Sequence, residues 1–384
     1  MFTRRSFLLA GISAASVACR RPKARGFSGF AFIANQEGQA VAAVDLTVFA
    51  VARHIHVDGS PTAITSTGSR VFALTPENGY VHEISADTLG FVRKVQVAKS
   101  ALTMRMSDQG LYVLCTSPRR LVRLSLPSLA QDWVAPLPAD PADFDLSADG
   151  RWLAISYGQN RAIGFFDISQ KRSFEPVAAG GDVGTVRFQP DSSQLLAADL
   201  SGHRLSVYKT TTRGLIVNLP LAVRPDQFCF SPLGGQLFVT GAGMDGVVVV
   251  YPYYTPEVAE TVLAGHTPGA MASVSLSPPK DSPDAPDEGY LFVANAQSGD
   301  VSILDIATHK LLAVTPVGAG PGYVTITPDR QYALVLNQTS GDMAVIRIAN
   351  ITRTVNEQRR WKKGALFMLI PVGSKPVSAT VVAI

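Results

Sequence analysis

A unit of about 42 residues recurs from residue 30 to the C-terminus, and this repetition constrains the fold more than any other feature of the sequence. Its clearest copy spans residues 290–329. Each copy contains four short apolar segments, named A to D here, separated by turns rich in glycine, proline and aspartate. The turn after segment A marks the register, and its copies start at Ser66, Ser107, Ser147, Gln189, Ser231, Ser277 and Thr327.

Short strands at this regular spacing predict an all-β fold, a single β-propeller of four-stranded blades over residues 30–384. The B segments indicate eight blades. Seven blades, with one degenerate unit absorbed elsewhere, is the alternative. The chain begins with B-C-D and ends with a lone A segment at residues 377–383. We therefore expect the C-terminal strand to complete the N-terminal blade, which closes the ring and removes exposed sheet edges.

The repeat units also carry a family resemblance. Leu291-Phe-Val-Ala-Asn295 followed by Val301-Ser-Ile-Leu-Asp305 resembles the YVTN-type β-propeller repeat family, which includes YncE-like exported proteins. The resemblance covers most of residues 30–384, is strongest at 290–329 and is weak at 71–135. It implies a propeller scaffold that is often extracytoplasmic and has diverse binding roles, and it does not imply a reaction.

The first 18 residues have the features of an export signal. Thr3-Arg-Arg-Ser-Phe-Leu8 resembles the twin-arginine pattern, and the apolar run after it is shorter than the about 20 residues that span a bilayer. Ser16-Val-Ala-Cys19 resembles a lipobox, which predicts lipidation of Cys19, although ordinary cleavage after Ala18 is the alternative. Residues 19–29 then form a basic tether. We expect an exported protein of the periplasm or cell surface, anchored to the membrane if Cys19 is lipidated and soluble in the periplasm otherwise.

Composition and motifs exclude several function classes. The chain is 46% hydrophobic and 17% charged, which excludes general disorder, and its net charge of +4 indicates no nucleic-acid partner. Cys115 and Cys229 lie in apolar segments and are predicted to be buried hydrophobes rather than a disulfide. Gly241-Ala-Gly-Met-Asp-Gly246 fits a dinucleotide-binding pattern, but a strand follows it, so a B–C turn is predicted. No metal site, cofactor or catalytic residue is predicted.

The predicted topology divides the loops between two faces of the ring. B–C turns and D–A loops share one face, where polar groups converge on a central funnel, the usual ligand site of such a fold. The candidate ligand-binding residues there are Asn35, Asn160, Arg161, His203, Arg224, His266, Asn295 and Asn337.

The opposite face is predicted to carry two charged insertions in neighbouring blades. One is acidic, at residues 279–288, and the other is basic, at residues 351–363. Trp and Arg are frequent interface hot spots, so we expect the basic insertion to dock a protein partner. Its candidate residues are Arg359, Arg360, Trp361, Lys362 and Lys363.

Three functions are compatible with the sequence. The first is a scaffold that binds a protein, glycan or small ligand in the cell envelope. The second is a hydrolase of the lactonase type, with His203, His266 and Arg224 acting as acid–base groups. The third is a carrier of a non-covalent haem-like cofactor with one axial histidine. The missing catalytic motifs favour the first, which is not an enzyme.

Overall fold

A computed structural model describes residues 26–276, 288–351 and 365–384, and these residues form almost only β-strands. Eight sheets are arranged as an eight-bladed β-propeller, which confirms the predicted fold and excludes the seven-bladed alternative. The helix among these residues is a single 3₁₀ turn, η1 (Ile348–Asn350). In the described ranges no helix has the length and apolar character to cross a membrane.

The strands follow one another around the ring in chain order. Blades 1 to 4 contain β1 (Gly29–Asn35), β2 (Ala40–Asp45), β3 (Ala50–His56), β4 (Ala63–Thr67), β5 (Arg70–Thr75), β6 (Tyr80–Ser85), β7 (Gly90–Gln96), β8 (Ser100–Ser107), β9 (Gly110–Ser117), β10 (Arg119–Leu124), β11 (Gln131–Pro136), β12 (Asp143–Leu146), β13 (Trp152–Ser156), β14 (Ala162–Asp167), β15 (Arg172–Ser173) and β16 (Val177–Ala178). Blades 5 to 8 contain β17 (Val183–Phe188), β18 (Gln194–Asp199), β19 (Arg204–Lys209), β20 (Leu215–Pro220), β21 (Arg224–Phe230), β22 (Leu237–Ala242), β23 (Gly246–Tyr251), β24 (Glu257–Leu263), β25 (Pro268–Leu276), β26 (Glu288–Asn295), β27 (Asp300–Asp305), β28 (Leu311–Pro316), β29 (Pro321–Ile326), β30 (Tyr332–Asn337), β31 (Asp342–Arg347) and β32 (Leu366–Pro371). The last strand, β33 (Pro376–Ala383), returns to blade 1.

Each blade is an antiparallel meander in which strand A is innermost and strand D is outermost, as in the order β4-β5-β6-β7 of blade 2. Blade 4 departs from this pattern because two short strands, β15 and β16, share its outer edge. The face formed by the B–C turns and D–A loops is called the funnel face here, and the face formed by the A–B and C–D turns is called the back face.

The C-terminal strand closes the ring. β33 pairs antiparallel with β1, and Phe32 lies opposite Thr380. Side chains of both neighbouring blades also bond to β33: the Tyr323 hydroxyl donates to the Ala379 carbonyl at 2.9 Å, and the hydroxyls of Ser66 and Thr380 lie 2.7 Å apart. Blade 1 is thus completed by the chain's end, as predicted from the offset of the A and B segments.

The core lies between successive blades rather than at the ring's centre. The B and C strands are buried on both faces, so their residues read as continuous apolar runs rather than an alternating pattern. Between blades 2 and 3, for example, Phe72 and Leu74 pack with Met104, Leu111 and Val113. Each such side chain contributes about 1.5–3 kcal/mol on burial, and truncation of Phe72 to alanine would remove about 3–5 kcal/mol.

Aspartate side chains stabilise several C–D turns through hydrogen bonds. At the end of three C strands a carboxylate Oδ1 accepts a backbone N–H of the C–D turn. Asp45 accepts from Thr47 at 2.7 Å, and Asp305 accepts from Ala307 at 2.9 Å. Likewise, the predicted B–C turn at residues 241–246 connects β22 to β23, so the glycine-rich segment has no helix after it.

Candidate functional site

Three of the eight candidate residues are asparagines that end B strands, and all three are buried beneath the funnel face. Asn35 Nδ2 donates to the Val372 carbonyl at 2.7 Å, and Asn337 Nδ2 donates to the Val317 carbonyl at 2.9 Å. Asn295 Nδ2 donates to Ser302 Oγ at 2.9 Å. These amides therefore hold the scaffold together, and a contact with ligand stays a prediction for them.

Three further candidates are exposed in the B–C turns of blades 4 and 5. Asn160 and Arg161 share one turn, and Arg161 Nε lies 3.2 Å from Asp182 Oδ1 of the following D–A loop. His203 has a left-handed backbone, and its carbonyl accepts the Leu221 N–H at 2.8 Å. These residues lie on the funnel face of blades 4 and 5.

The remaining two candidates, Arg224 and His266, flank a cavity of about 820 Å³ that opens on the funnel face between blades 6, 7 and 8. Its wall combines the start of three A strands with the B–C turn of blade 6. The side chains that give it chemical character are Asp226, Phe228, Met244, Asp245, Met271 and Tyr323. All of these were absent from the sequence-based candidates.

Two glycines of the cavity wall have different surroundings. Gly241, in the segment dismissed as a dinucleotide motif, packs so closely on blade 6 that a Cβ would lie 1.8 Å from the Arg224 carbonyl oxygen. Gly269 is different, because a Cβ there would have its nearest neighbour, the Ala294 carbonyl oxygen, at 4.0 Å. Gly269 therefore leaves space at the cavity wall that a larger side chain would fill.

Asp245 and His266 form a hydrogen-bonded pair at the cavity rim. His266 Nδ1 lies 2.5 Å from Asp245 Oδ2, and the Thr267 N–H donates to Asp245 Oδ1 at 3.0 Å. The Thr267 N–H and then the His266 imidazole hold the pKa of Asp245 below its usual value. When the imidazole is neutral and Nδ1 donates to the carboxylate, the second ring nitrogen of His266 is left as an acceptor for a ligand.

The cavity is negatively charged. Asp226 is exposed and accepts a hydrogen bond from Gln227 Nε2 at 3.3 Å, and no lysine or arginine stands among the residues that line the cavity. Arg224 lines a smaller adjoining cavity of about 260 Å³ together with Asp226.

A second polar cluster at the centre of the ring was missed by sequence reasoning. Arg187 Nη1 donates to Asp143 Oδ2 at 2.5 Å, and Arg105 Nε donates to the Phe144 carbonyl at 2.6 Å. Arg105 also lies 3.6 Å from Asp145. Burial raises the pKa of Asp145 more than the two guanidinium groups lower it. The opposite charges compensate one another, so this cluster is a bridge between blades 3, 4 and 5.

Several predictions fall outside the described residues. Cys19, residues 277–287 and the basic docking candidates Arg359, Arg360, Trp361, Lys362 and Lys363 belong to them, so lipidation and docking stay predictions. Glu288, assigned to the acidic insertion, instead begins β26. In the described ranges no three histidine, cysteine, aspartate or glutamate side chains are grouped as metal ligands would be.

Comparison with known proteins identifies the class of fold and no family. No protein-family model and no curated protein sequence matches the chain. The dihydro-haem d1 dehydrogenase NirN, solved in complex with DHE, is similar with a TM-score of 0.71 and 14% identity over 92% of this chain and 75% of NirN. Apo AztD from Citrobacter koseri gives a TM-score of 0.66 and 10% identity over 92% of this chain and 98% of AztD. Hydrazine synthase of Kuenenia stuttgartiensis gives a TM-score of 0.57 and 17% identity over 88% of this chain and 100% of that chain. At these identities the similarity establishes the propeller fold alone.

Proposed function

We propose that this protein is an exported, membrane-anchored β-propeller that binds a small amphipathic ligand in the cavity of blades 6–8. The observation that carries the proposal is the cavity itself, because about 820 Å³ lies within the range of about 300–1,000 Å³ typical of small-molecule sites. Asp226 and Asp245 favour a cationic or hydroxyl-rich group on the ligand. Phe228, Met271 and Tyr323 offer apolar contact to the rest of it.

Export and anchoring are supported by the leader. Two arginines precede the apolar run, and Cys19 stands where a lipobox cysteine would be acylated. Each buried CH₂ of an acyl chain contributes about 0.8 kcal/mol, so several chains hold a protein at a membrane. We expect Cys19→Ser to move the exported chain from the membrane fraction to the soluble fraction, and mass spectrometry of the native chain to find acylated Cys19.

A matched pair of glycine variants tests the cavity. Gly269→Leu places a large side chain in it, whereas Gly235→Leu adds the same side chain on the back face, where a Cβ has nothing within 4 Å. Thermal unfolding would be followed with choline, spermidine and glucosamine as probes. A probe at 100 times its Kd stabilises the native chain by about 2.7 kcal/mol. That stabilisation should be lost in Gly269→Leu and kept in Gly235→Leu.

Substitution of the acidic group completes this experiment. Asp226→Asn should weaken binding of a cationic probe about tenfold or more, the equivalent of about 1.4 kcal/mol. The proposal fails if no probe stabilises the chain, or if Gly269→Leu binds as well as the native protein.

A haem-like cofactor is the second candidate for this cavity. The similar fold of NirN, solved with DHE, and the two methionine thioethers in the lining, Met244 and Met271, favour it. His266 and the methionines would be the candidate axial ligands. Purified protein with a Soret band that is lost in Gly269→Leu and kept in Gly235→Leu would support this candidate over the amphipathic ligand.

A further inference from the structure

The exposed apolar side chains of the described residues are unevenly divided between the two faces. At turn tips and chain ends of the back face, Tyr254 is 98% exposed, Leu233 87%, Val48 65% and Ile384 63%. The D strands add exposed apolar residues mainly at the ends nearest the back face, such as Phe91, Leu215, Val258, Leu311 and Phe367. The funnel face has only Met244 and Leu263 among the described residues of this kind. Among the described residues, which omit most of the two charged insertions predicted for this face, the back face is therefore the more apolar of the two.

Leu233 occupies a turn position that other blades give to aspartate. In blades 4, 5 and 8 the A–B turn carries Asp149, Asp191 and Asp329 at this position. Each carboxylate accepts the backbone N–H two residues later, at 3.0, 3.0 and 3.1 Å. Leucine cannot accept this hydrogen bond, and its apolar side chain is exposed. The turn of blade 6 therefore lacks a stabilising contact that the other three turns have.

Val48 and Tyr254 are exposed apolar residues of the C–D turns. Val48 precedes a left-handed residue, and the equivalent residues of blades 2 and 7, Thr88 and Thr308, are polar. Tyr254 stands at the left-handed position itself, with φ 56°, and its ring lies in solvent. His309 fills this position in blade 7 and is buried. The three tips named Val48, Leu233 and Tyr254 are called the apolar tips here.

The chain enters the propeller beside one of these tips. Gly26 packs against the C–D turn of blade 1, where a Cβ would lie 2.0 Å from the Leu46 carbonyl oxygen and 2.7 Å from that of Thr47. This turn belongs to the back face and carries Val48. Cys19 precedes Gly26 by seven residues, a reach of at most about 25 Å. An acyl chain on Cys19 therefore keeps this face near the membrane.

From these observations we infer that the apolar tips contact the surface of the lipid bilayer, with the back face toward the membrane and the funnel cavity facing away from it. Tyrosine is favoured at the membrane–water interface, and exposed aliphatic side chains gain from burial in it. The inference rests on the lipid anchor of the proposed function. It gives the ligand site an orientation, since the cavity opens toward the aqueous compartment.

Single-cysteine labelling of the acylated, full-length mature chain in phosphatidylethanolamine–phosphatidylglycerol vesicles tests the orientation. An environment-sensitive dye would be placed by Val48→Cys, Leu233→Cys or Tyr254→Cys, with Glu37→Cys as the control on the funnel face of blade 1. The native thiols Cys115 and Cys229 interfere little, because burial raises the pKa of each to about 11. All four substituted positions are exposed, so the variants should fold.

We expect the dye at the three apolar tips to shift to the blue and to be quenched by spin-labelled lipids, while the dye at position 37 stays in water. The inference is wrong if position 37 responds as strongly as the tips, or if the tips stay in water while the acylated chain is bound. Crosslinking of the tips to another protein in intact cells, rather than to lipid, would also overturn it. Acylation of Cys19 and ligand stabilisation are measured separately, so failure of the orientation is distinguishable from failure of the proposed function.

Discussion

Two groups of three neighbouring blades place different residues at one and the same position of strand A. Blades 3, 4 and 5 carry Arg105, Asp145 and Arg187 there, which pair with Tyr112, Ala154 and Leu196 of the adjacent B strands. Blades 6, 7 and 8 carry Cys229, Ala272 and Thr325 at this register. The first group is called the charged sector here and the second the open sector.

The difference between the sectors shows that copies of one repeat can carry either a charged bridge or a cavity. In the charged sector, alternating Arg-Asp-Arg side chains bond across three blades, with Asp143 as an additional acceptor. In the open sector the residues at this register are uncharged, and a cavity is lined by residues nearer the start of the same three A strands. The backbone of both sectors follows the same antiparallel meander, so the contrast between the sectors lies in their side chains.

The largest effect should come from breaking the bridge. Asp143→Ala removes the acceptor for Arg187 Nη1 and for the Val186 N–H, and leaves the guanidinium groups of Arg105 and Arg187 to share Asp145 as the one nearby carboxylate of the bridge. We expect the free energy of unfolding to fall by about 3 kcal/mol, as for other broken interior ion pairs. Asp226→Ala in the open sector is the control and should change it by about 0.5 kcal/mol or less. Equal losses in urea unfolding would remove the distinction between the sectors.

One aspartate in each sector should have a shifted pKa, and the two shifts should be in opposite directions. Burial raises the pKa of Asp145, whereas the Thr267 N–H and His266 lower that of Asp245. The stabilising contribution of Asp145 is therefore present at low pH and is lost as pH rises above the unfolded value of about 3.9, through its higher folded pKa. That of Asp245 is present above about 3.9 and is lost as pH falls through its lower folded pKa.

Carbon-13 NMR of the two side-chain carboxyls measures this contrast directly. We expect the Asp145 carboxyl to titrate above, and the Asp245 carboxyl below, the unfolded value. Urea unfolding at several pH values gives the same answer for stability, since Asp145→Asn should remove the decline on the alkaline side and Asp245→Asn the decline on the acid side. Two shifts of the same sign would contradict the electrostatic comparison.

How much of this follows from the sequence alone differs between scaffold and centre. The repeat spacing and the offset of A and B segments were enough to predict eight blades and the closing strand. Arg105, Asp145 and Arg187 each stand two residues before a register marker, but the markers do not show that side chains of successive innermost strands point toward one another. The cavity escaped notice because glycines such as Gly269 and Gly322 indicate a turn or a close contact as readily as a vacant space.

Side-chain direction explains why some of the predicted funnel residues lie beside the cavity and others are buried in the scaffold. Asn295 and Asn337 were predicted to reach the funnel because they precede polar turns. In the structure each is the last residue of its B strand, and pairing with strand C turns its amide inward, toward the D–A loop and the scaffold. Arg224 and His266, in contrast, lie where an A strand begins, at the rim of the ring, and there the topology alone places side chains beside the cavity.

The smallest effect should be found at the seam between blade 8, in the open sector, and blade 1. Tyr323→Phe keeps the ring in place and removes only the hydroxyl that donates to the Ala379 carbonyl. A neutral hydrogen bond of this kind contributes about 1 kcal/mol, so the loss in unfolding free energy should be about one third of that for Asp143→Ala. Tyr254→Phe, whose side chain lies in solvent, is the matched control and should unfold as the native chain does. A loss at Tyr323 as large as at Asp143 would mean that the open sector is as strongly bridged as the charged one, through the strand that closes the ring.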